Sequence, residues 1–182
     1  VSRSELVRED RTLGRGETQD QEFIRGCAVE VKPVFKKVLQ VGVVVSDLDR
    51  AMRQYEELGI GPWQAFTLDP SNMRELKVRN QRVDFSMRVA FARIGDFQWE
   101  LIQPLDERSI YSEFLREKGE GLHHVAFHVD DFGQAVEFLR ENGVEVLQSG
   151  EAPGLGFAYL DTKEKLSFIA EIYDVPKGAG KS

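Results

Sequence analysis

A chain of 182 residues, 41% hydrophobic and 30% charged, has the balance of an ordinary globular protein, with no apolar run of the roughly 20 residues needed to cross a bilayer. Its formal net charge of −7 speaks against nucleic acid, whose binding needs a basic face to displace counterions. The lone cysteine, Cys27, excludes an internal disulfide framework and any multi-cysteine metal cluster, and the first residues lack the apolar stretch of a secretory signal; a reducing cytoplasm fits both.

Residues 1–34 are rich in Arg, Glu, Asp, Gln and Gly and read as a flexible polar arm, leaving residues 35–182 as the folded domain. Val38 to Val45 has strand character, Ser46-Asp47 are capping residues, and Leu48, Ala51, Met52, Tyr55 and Leu58 recur at helical spacing before Gly59. A short strand to Thr67 and a polar stretch from Asp69 to Asn80 follow. Met87 to Ile94 and Phe97 to Gln103 flank Gly95-Asp96 as a hairpin, and Ile110 to Lys118 is a short helix. The pattern then restarts: strand Leu122–Val129, cap Asp130-Asp131, helix Phe132–Glu141, Gly143, and strands Val144–Leu147, Gly156–Leu160 and Leu166–Tyr173. The glycine-rich Gly150 to Gly156 lacks the strand-to-helix setting of a phosphate cradle and reads as a mobile loop at a pocket mouth.

With an offset of 84, Gln40 to Asp47 lies over His124 to Asp131, Ala51 over Ala135, Glu57 over Glu141 and Gly59 over Gly143. This is a duplication, module one about 36–104 and module two about 120–175. Two units are too few for a solenoid, so the modules pair around one core.

Strand side chains alternate between faces, so Gln40, Gly42 and Val44 share one side, as do His124, Ala126 and His128. Glu100 and Glu171 lie mid-strand among apolar neighbours, where an unpartnered carboxylate is costly. Two such carboxylates at equivalent places, with Gln40 and His124 equivalent to each other, make a Gln/Glu/His/Glu set that suits Zn, Ni, Co or Mn. Taken singly, each carboxylate could be a salt-bridged or edge-strand group, and a lone strand histidine is ordinarily structural. His123 reads as facing away from His124. His128, Trp63, Phe91, Phe127 and Phe157 are the candidate pocket-lining residues. No Gly-x-Ser-x-Gly elbow is present, and Cys27 lies in the arm, so covalent nucleophilic catalysis has no candidate.

The blocks Gln40-Val-Gly-Val-Val-Val-Ser-Asp, Glu100-Leu-Ile-Gln-Pro-Leu, Gly121-Leu-His-His-Val-Ala-Phe-His-Val-Asp-Asp and Ala170-Glu-Ile resemble the vicinal oxygen chelate superfamily, above all methylmalonyl-CoA epimerases and glyoxalase I. The resemblance spans about Leu39 to Asp174. It implies an α+β fold of two paired βαβββ modules forming a half-open curved sheet around one metal site, with Gln40, Glu100, His124 and Glu171 as ligands. Such epimerases usually carry His where Gln40 stands, whereas Gln/Glu/His/Glu is similar to the ligand quartet of eukaryotic-type glyoxalase I. The arginine that glyoxalase I uses for glutathione would fall at Val44, which speaks against glutathione. Extradiol dioxygenases place two His and one carboxylate on iron, a set not matched here.

The expected function is a metal-dependent isomerase, epimerase or lyase that moves a proton α to a carbonyl, with Glu171 the first choice of base and Glu100 the second. The expected partner is a small molecule with a carbonyl or vicinal oxygens, and a homodimer is compatible with the reading. The rival is a non-catalytic small-molecule binder, like the antibiotic-sequestering members of the same superfamily.

Overall fold

The computed structural model describes residues 32–174, so the arm expected over residues 1–34 lies almost wholly outside the described residues. From Val34 onward the described chain forms one compact unit. Its first module opens with β1 (Lys37–Val44) and α1 (Leu48–Glu57), and the Asp47 side chain caps the helix by accepting from the Arg50 N–H at 2.9 Å. Its second opens with β7 (Gly121–His128) and α3 (Phe132–Glu141), where Asp131 accepts from Gln134 N–H at the same 2.9 Å. Gly59 and Gly143 follow the two helices with φ of 81° and 73°, a conformation only glycine adopts at little cost. The equivalences read from sequence are therefore equivalences of local structure.

Module one continues with β2 (Gln64–Leu68), β3 (Arg74–Val78), β4 (Gln81–Arg82), β5 (Met87–Ile94) and β6 (Phe97–Pro104). Helix α2 (Ile110–Lys118) links it to module two, which adds β8 (Val146–Ala152), β9 (Leu155–Leu160), α4 (Lys163–Leu166) and β10 (Ile169–Asp174). The ten strands of the described residues form one sheet in the order β2-β5-β6-β1-β7-β10-β9-β8-β3-β4. In each module the last strand runs parallel to the first, β6 beside β1 and β10 beside β7, while β1 and β7 meet antiparallel at the centre. Val41 pairs with Val125 there, and 41 + 84 = 125, so this pair is its own counterpart under the repeat and marks the pseudo-two-fold axis.

The polar stretch expected over Asp69 to Asn80 contains a strand that the residue pattern hid. β3 and β4 form a hairpin whose two turn residues, Arg79 and Asn80, both have positive φ (47° and 63°). Charged side chains face outward, and only Leu76 and Val78 are buried. The hairpin pairs with β8, at the opposite edge of the sheet from β2. Only residues 69–73 connect β2 to β3, a reach of roughly 20 Å. The two ends of the sheet must therefore curl toward one another, giving a half-barrel.

Both long helices cover the convex side. Leu48 and Ala51 of α1 pack on Val43, Ala90 and Leu101, and Ala135 and Leu139 of α3 pack on Ala158, Leu160 and Ile172. The concave side holds a third cluster, in which Met73, Leu76, Phe85 and Tyr111 meet Val44, Val89, Ile102 and Tyr159 of the sheet. Two other expectations change. Gly150 to Gly156 is the β8–β9 hairpin, and Gly150 lies within β8, where an added Cβ would stand 2.8 Å from Phe157 Cζ. The strand expected over Leu166 to Tyr173 starts at Ile169, because α4 and a left-handed Ser167 precede it. Thr162 fixes that turn, donating to the Phe168 carbonyl and accepting from Ala170 N–H, both at 2.8 Å.

Candidate metal and proton-transfer site

The pairing of strands brings the four sequence candidates to the concave side. Gly42 of β1 pairs with Glu100 of β6, and its counterpart Ala126 of β7 pairs with Glu171 of β10. The carboxylates are thus equivalent by register, not only by order along the chain. Gly42 also pairs with His124 across the central seam, while Gln40 pairs with Ala126. Gln40, Glu100, His124 and Glu171 are 2%, 6%, 1% and 2% exposed, so none is a solvated surface group.

His124 is the hub. Its Nε2 lies 3.3 Å from Glu100 Oε2 and 3.2 Å from Glu171 Oε2. Both are ion-pair distances, yet neither contact is aligned as a hydrogen bond, and Nε2 and Glu100 Oε2 are buried without a hydrogen-bond partner. Burial disfavours the charged ring, but the nearby Glu171 and Glu100 outweigh it and raise the His124 pKa to about 9. Burial in turn raises the Glu100 pKa, opposed by His124. The imidazole is where it is because residue 42 is glycine: a Cβ there would lie 1.8 Å from His124 Cε1.

Gln40 joins this centre through a residue the sequence reading passed over. The Tyr173 hydroxyl bonds Gln40 Oε1 and stands 3.0 Å from Glu171 Oε2, while Gln40 Nε2 donates to Gln98 Oε1 at 3.0 Å. Burial first, then the charges of Glu171 and Glu100, hold the Tyr173 pKa well above the ordinary phenol value, so it stays a donor. The signal was available, since Tyr173 is two residues from Glu171 and Gln98 two from Glu100 on their strands.

His123 corrects the alternation argument. The β1–β7 register shifts between Gly42 and Val43, whose partners are His124 and Leu122, so His123 is the extra residue of a β-bulge. It consequently turns to the same side as His124, with the two Nδ1 atoms 3.1 Å apart, and its ring lies edge-on to Phe114 at 5.1 Å. Of the expected pocket-lining residues, Phe157 belongs to the concave cluster and Phe91 packs against it. Trp63 instead packs on the α1 side, edge-on to Tyr55, and Phe127 lies on the α3 side between Phe35 and Phe168, as its odd spacing from His124 dictates. His128 ends β7 with its side chain 48% exposed, 4.0 Å from Asp130.

Among the described residues, no group of three or more His, Cys, Asp or Glu side chains is placed to hold a metal ion as it stands. The residues nevertheless fit a divalent ion. Imidazole nitrogen and carboxylate oxygen are suitable donors, and ligands about 2.1 Å from a tetrahedral ion stand roughly 3.4 Å apart, close to the 3.2 and 3.3 Å separations here. Two of the three donor atoms are the partnerless ones.

Residues 39–159 match the family profile described as the glyoxalase/bleomycin resistance protein/dioxygenase superfamily. The chain belongs to this superfamily. Within the superfamily it is 29% identical over 140 residues to an ethylmalonyl-CoA/methylmalonyl-CoA epimerase of Cereibacter sphaeroides, covering 74% of this chain and 95% of that protein. It is 30% identical over 153 residues to a 2-epi-5-epi-valiolone epimerase of an Actinomyces species, covering 78% of this chain and 81% of that one. A solved methylmalonyl-CoA epimerase from Mycobacterium tuberculosis shares the fold, with a TM-score of 0.61 at 21% identity over 80% of this chain and 91% of that structure. Similarity to epimerases thus accompanies the superfamily fold, and among the described residues no helix is long and apolar enough to cross a membrane.

Proposed function

We propose that this protein is a metal-dependent epimerase that moves a proton α to the thioester carbonyl of an acyl-CoA. The observation that carries the reading is the pair Glu100 and Glu171, equivalent by register and buried on either side of His124. Inverting a carbon α to a carbonyl requires a proton to leave one face and return to the other, and two carboxylates supply an acceptor and a donor. Likeness to epimerases, one of them acting on ethylmalonyl-CoA and methylmalonyl-CoA, supports the same choice.

Gln40, Glu100, His124 and Glu171 would hold the divalent ion, which when bound supplies Lewis-acid stabilisation of the enolate oxygen. Glu171 is the principal base, because Tyr173 presents a hydroxyl to its Oε2 and so fixes the carboxylate at the centre. Glu100, whose protonated form burial favours, is suited to return the proton. Gly42 and His123 hold the His124 ring, the one by leaving room for it and the other through the Nδ1 contact.

The test is exchange of the α-proton of methylmalonyl-CoA and ethylmalonyl-CoA in heavy water, followed by NMR with the metal-replete protein. Exchange at the α-carbon with racemisation is the expected result. If no thioester exchanges while small molecules still bind tightly, the non-catalytic binding reading replaces this one.

A further inference from the structure

A cavity of about 480 Å³ lies at the end of the central seam, within the size range of small-molecule sites. Its wall is made by Val41, Trp99, Phe114, Val125, Phe168 and Ile169. None of the residues that the sequence marked as pocket lining takes part in it. The cavity forms where Gly121 to His123 of β7 run past the first residue of β10, Ile169, which pairs with His124. Beyond that point β7 has no β10 partner, so a space opens between it and the α4 turn.

His123, His124, Lys163 and Ser167 interrupt the apolar wall, and two of them, His123 and Lys163, have polar atoms to offer a ligand. His123 is 3% exposed, and its Nε2 has no hydrogen-bond partner although its Nδ1 meets His124 Nδ1 at 3.1 Å. An unpartnered buried ring nitrogen is costly where it stands, and an oxygen-bearing ligand would satisfy it. Lys163, at the rim, is exposed and makes no salt bridge among the described residues. It lines the same cavity as His123.

We propose that this cavity binds a medium-chain or aryl carboxylate, with the apolar body against Trp99, Val125 and Ile169 and the anionic end toward Lys163 and His123. The depth favours a small molecule over a protein surface, since the lining includes the 1% exposed His124 as well as His123. Because His123 touches His124, the ligand sits one side chain from the candidate metal centre. The inference does not depend on the epimerase reading: binding here can be measured on a protein that exchanges no α-proton.

The test uses octanoate and octanol with the full chain in a Trp63→Phe background, which leaves Trp99 as the single tryptophan of the two. Saturable change of Trp99 fluorescence and a one-site calorimetric isotherm are expected for octanoate. Lys163→Glu should weaken octanoate at least tenfold and leave octanol nearly unchanged, because only the carboxylate uses the lysine. Val125→Phe, checked by thermal melting to be folded, should abolish both by filling the cavity. Absence of saturable octanoate binding overturns the proposal, as does binding that neither substitution alters. If octanoate fails to bind and Val125→Phe instead changes the protein's mass in sedimentation, the face is an interface between copies and the proposal falls.

Discussion

Gly42 and His124 face each other across the β1–β7 seam, and the imidazole fills the volume that a side chain on residue 42 would take. A Cβ at that position would stand 1.8, 2.3 and 2.4 Å from three atoms of the ring. Gly42→Ala must therefore displace His124 from between Glu100 and Glu171. The expected cost is about 1–3 kcal/mol of stability, the range for overpacking a well-filled site, together with loss of divalent-metal binding. Melting and metal titration of the variant check this; full metal affinity in Gly42→Ala would show that the ring position does not matter.

The two carboxylates should separate by role. Glu171→Gln keeps an oxygen donor of similar size while removing the base, so α-proton exchange should fall on the order of 10²-fold or more with much of the metal retained. Glu100→Gln should weaken metal binding and remove the group that returns the proton, so added metal should partly restore exchange but not racemisation. Near-normal exchange in Glu171→Gln, beside a loss in Glu100→Gln that metal cannot rescue, would reverse the assignment.

Tyr173 serves Gln40 and Glu171 with one hydroxyl proton. Its counterpart in module one is Ile102: β6 Glu100 and β10 Glu171 are equivalent, and each lies two residues earlier. Tyr173→Phe leaves a buried carboxylate oxygen and an amide oxygen short of a donor, at a cost of about 1–3 kcal/mol. Chemical denaturation measures that loss, and Ile102→Val, which only removes a methylene, should cost less than Tyr173→Phe if the hydroxyl is what counts.

Arg79 and Glu113 tie the β3–β4 turn to α2 through two parallel bonds of 2.8 and 2.6 Å. The Arg79 hydrogen bond, against a smaller effect of burial, lowers the Glu113 pKa below its usual 4.5. A depressed carboxylate pKa stabilises the folded state above the unfolded value, and that contribution is lost as pH falls through the folded one. Glu113→Gln should cost about 0.5–1 kcal/mol at pH 7, a figure kept small because the pair is partly solvated, and nothing once the pH has fallen through the lowered pKa of the folded carboxyl. Denaturation curves of the two proteins from pH 7 to pH 3 should converge; a constant gap across that range would assign the loss to packing.

The units of this protein and their equivalence are legible in the order of its residues. Capping aspartates, glycines after helices and period-two apolar runs are local signals, and their recurrence at a spacing of 84 aligned Gln40 with His124 before any pairing was known. The same alternation placed Glu100 and Glu171 among apolar neighbours, which made them candidates on the ground of desolvation alone. Tertiary structure decided what depends on contacts between distant segments. The β3–β4 hairpin is a strand only because β8 offers it an edge; with two buried apolar residues it carries little periodic signal of its own. His123 joined His124 because a bulge adds one residue to β7 and resets the parity on which facing arguments rest. Trp63 and Phe127 went to the helix side because α1 and α3 cover the convex face, where an aromatic ring packs as readily as in a ligand pocket. Which glycine is a structural requirement, and which tyrosine touches the carboxylate, followed from the curl of one sheet that brings four strands to a single point.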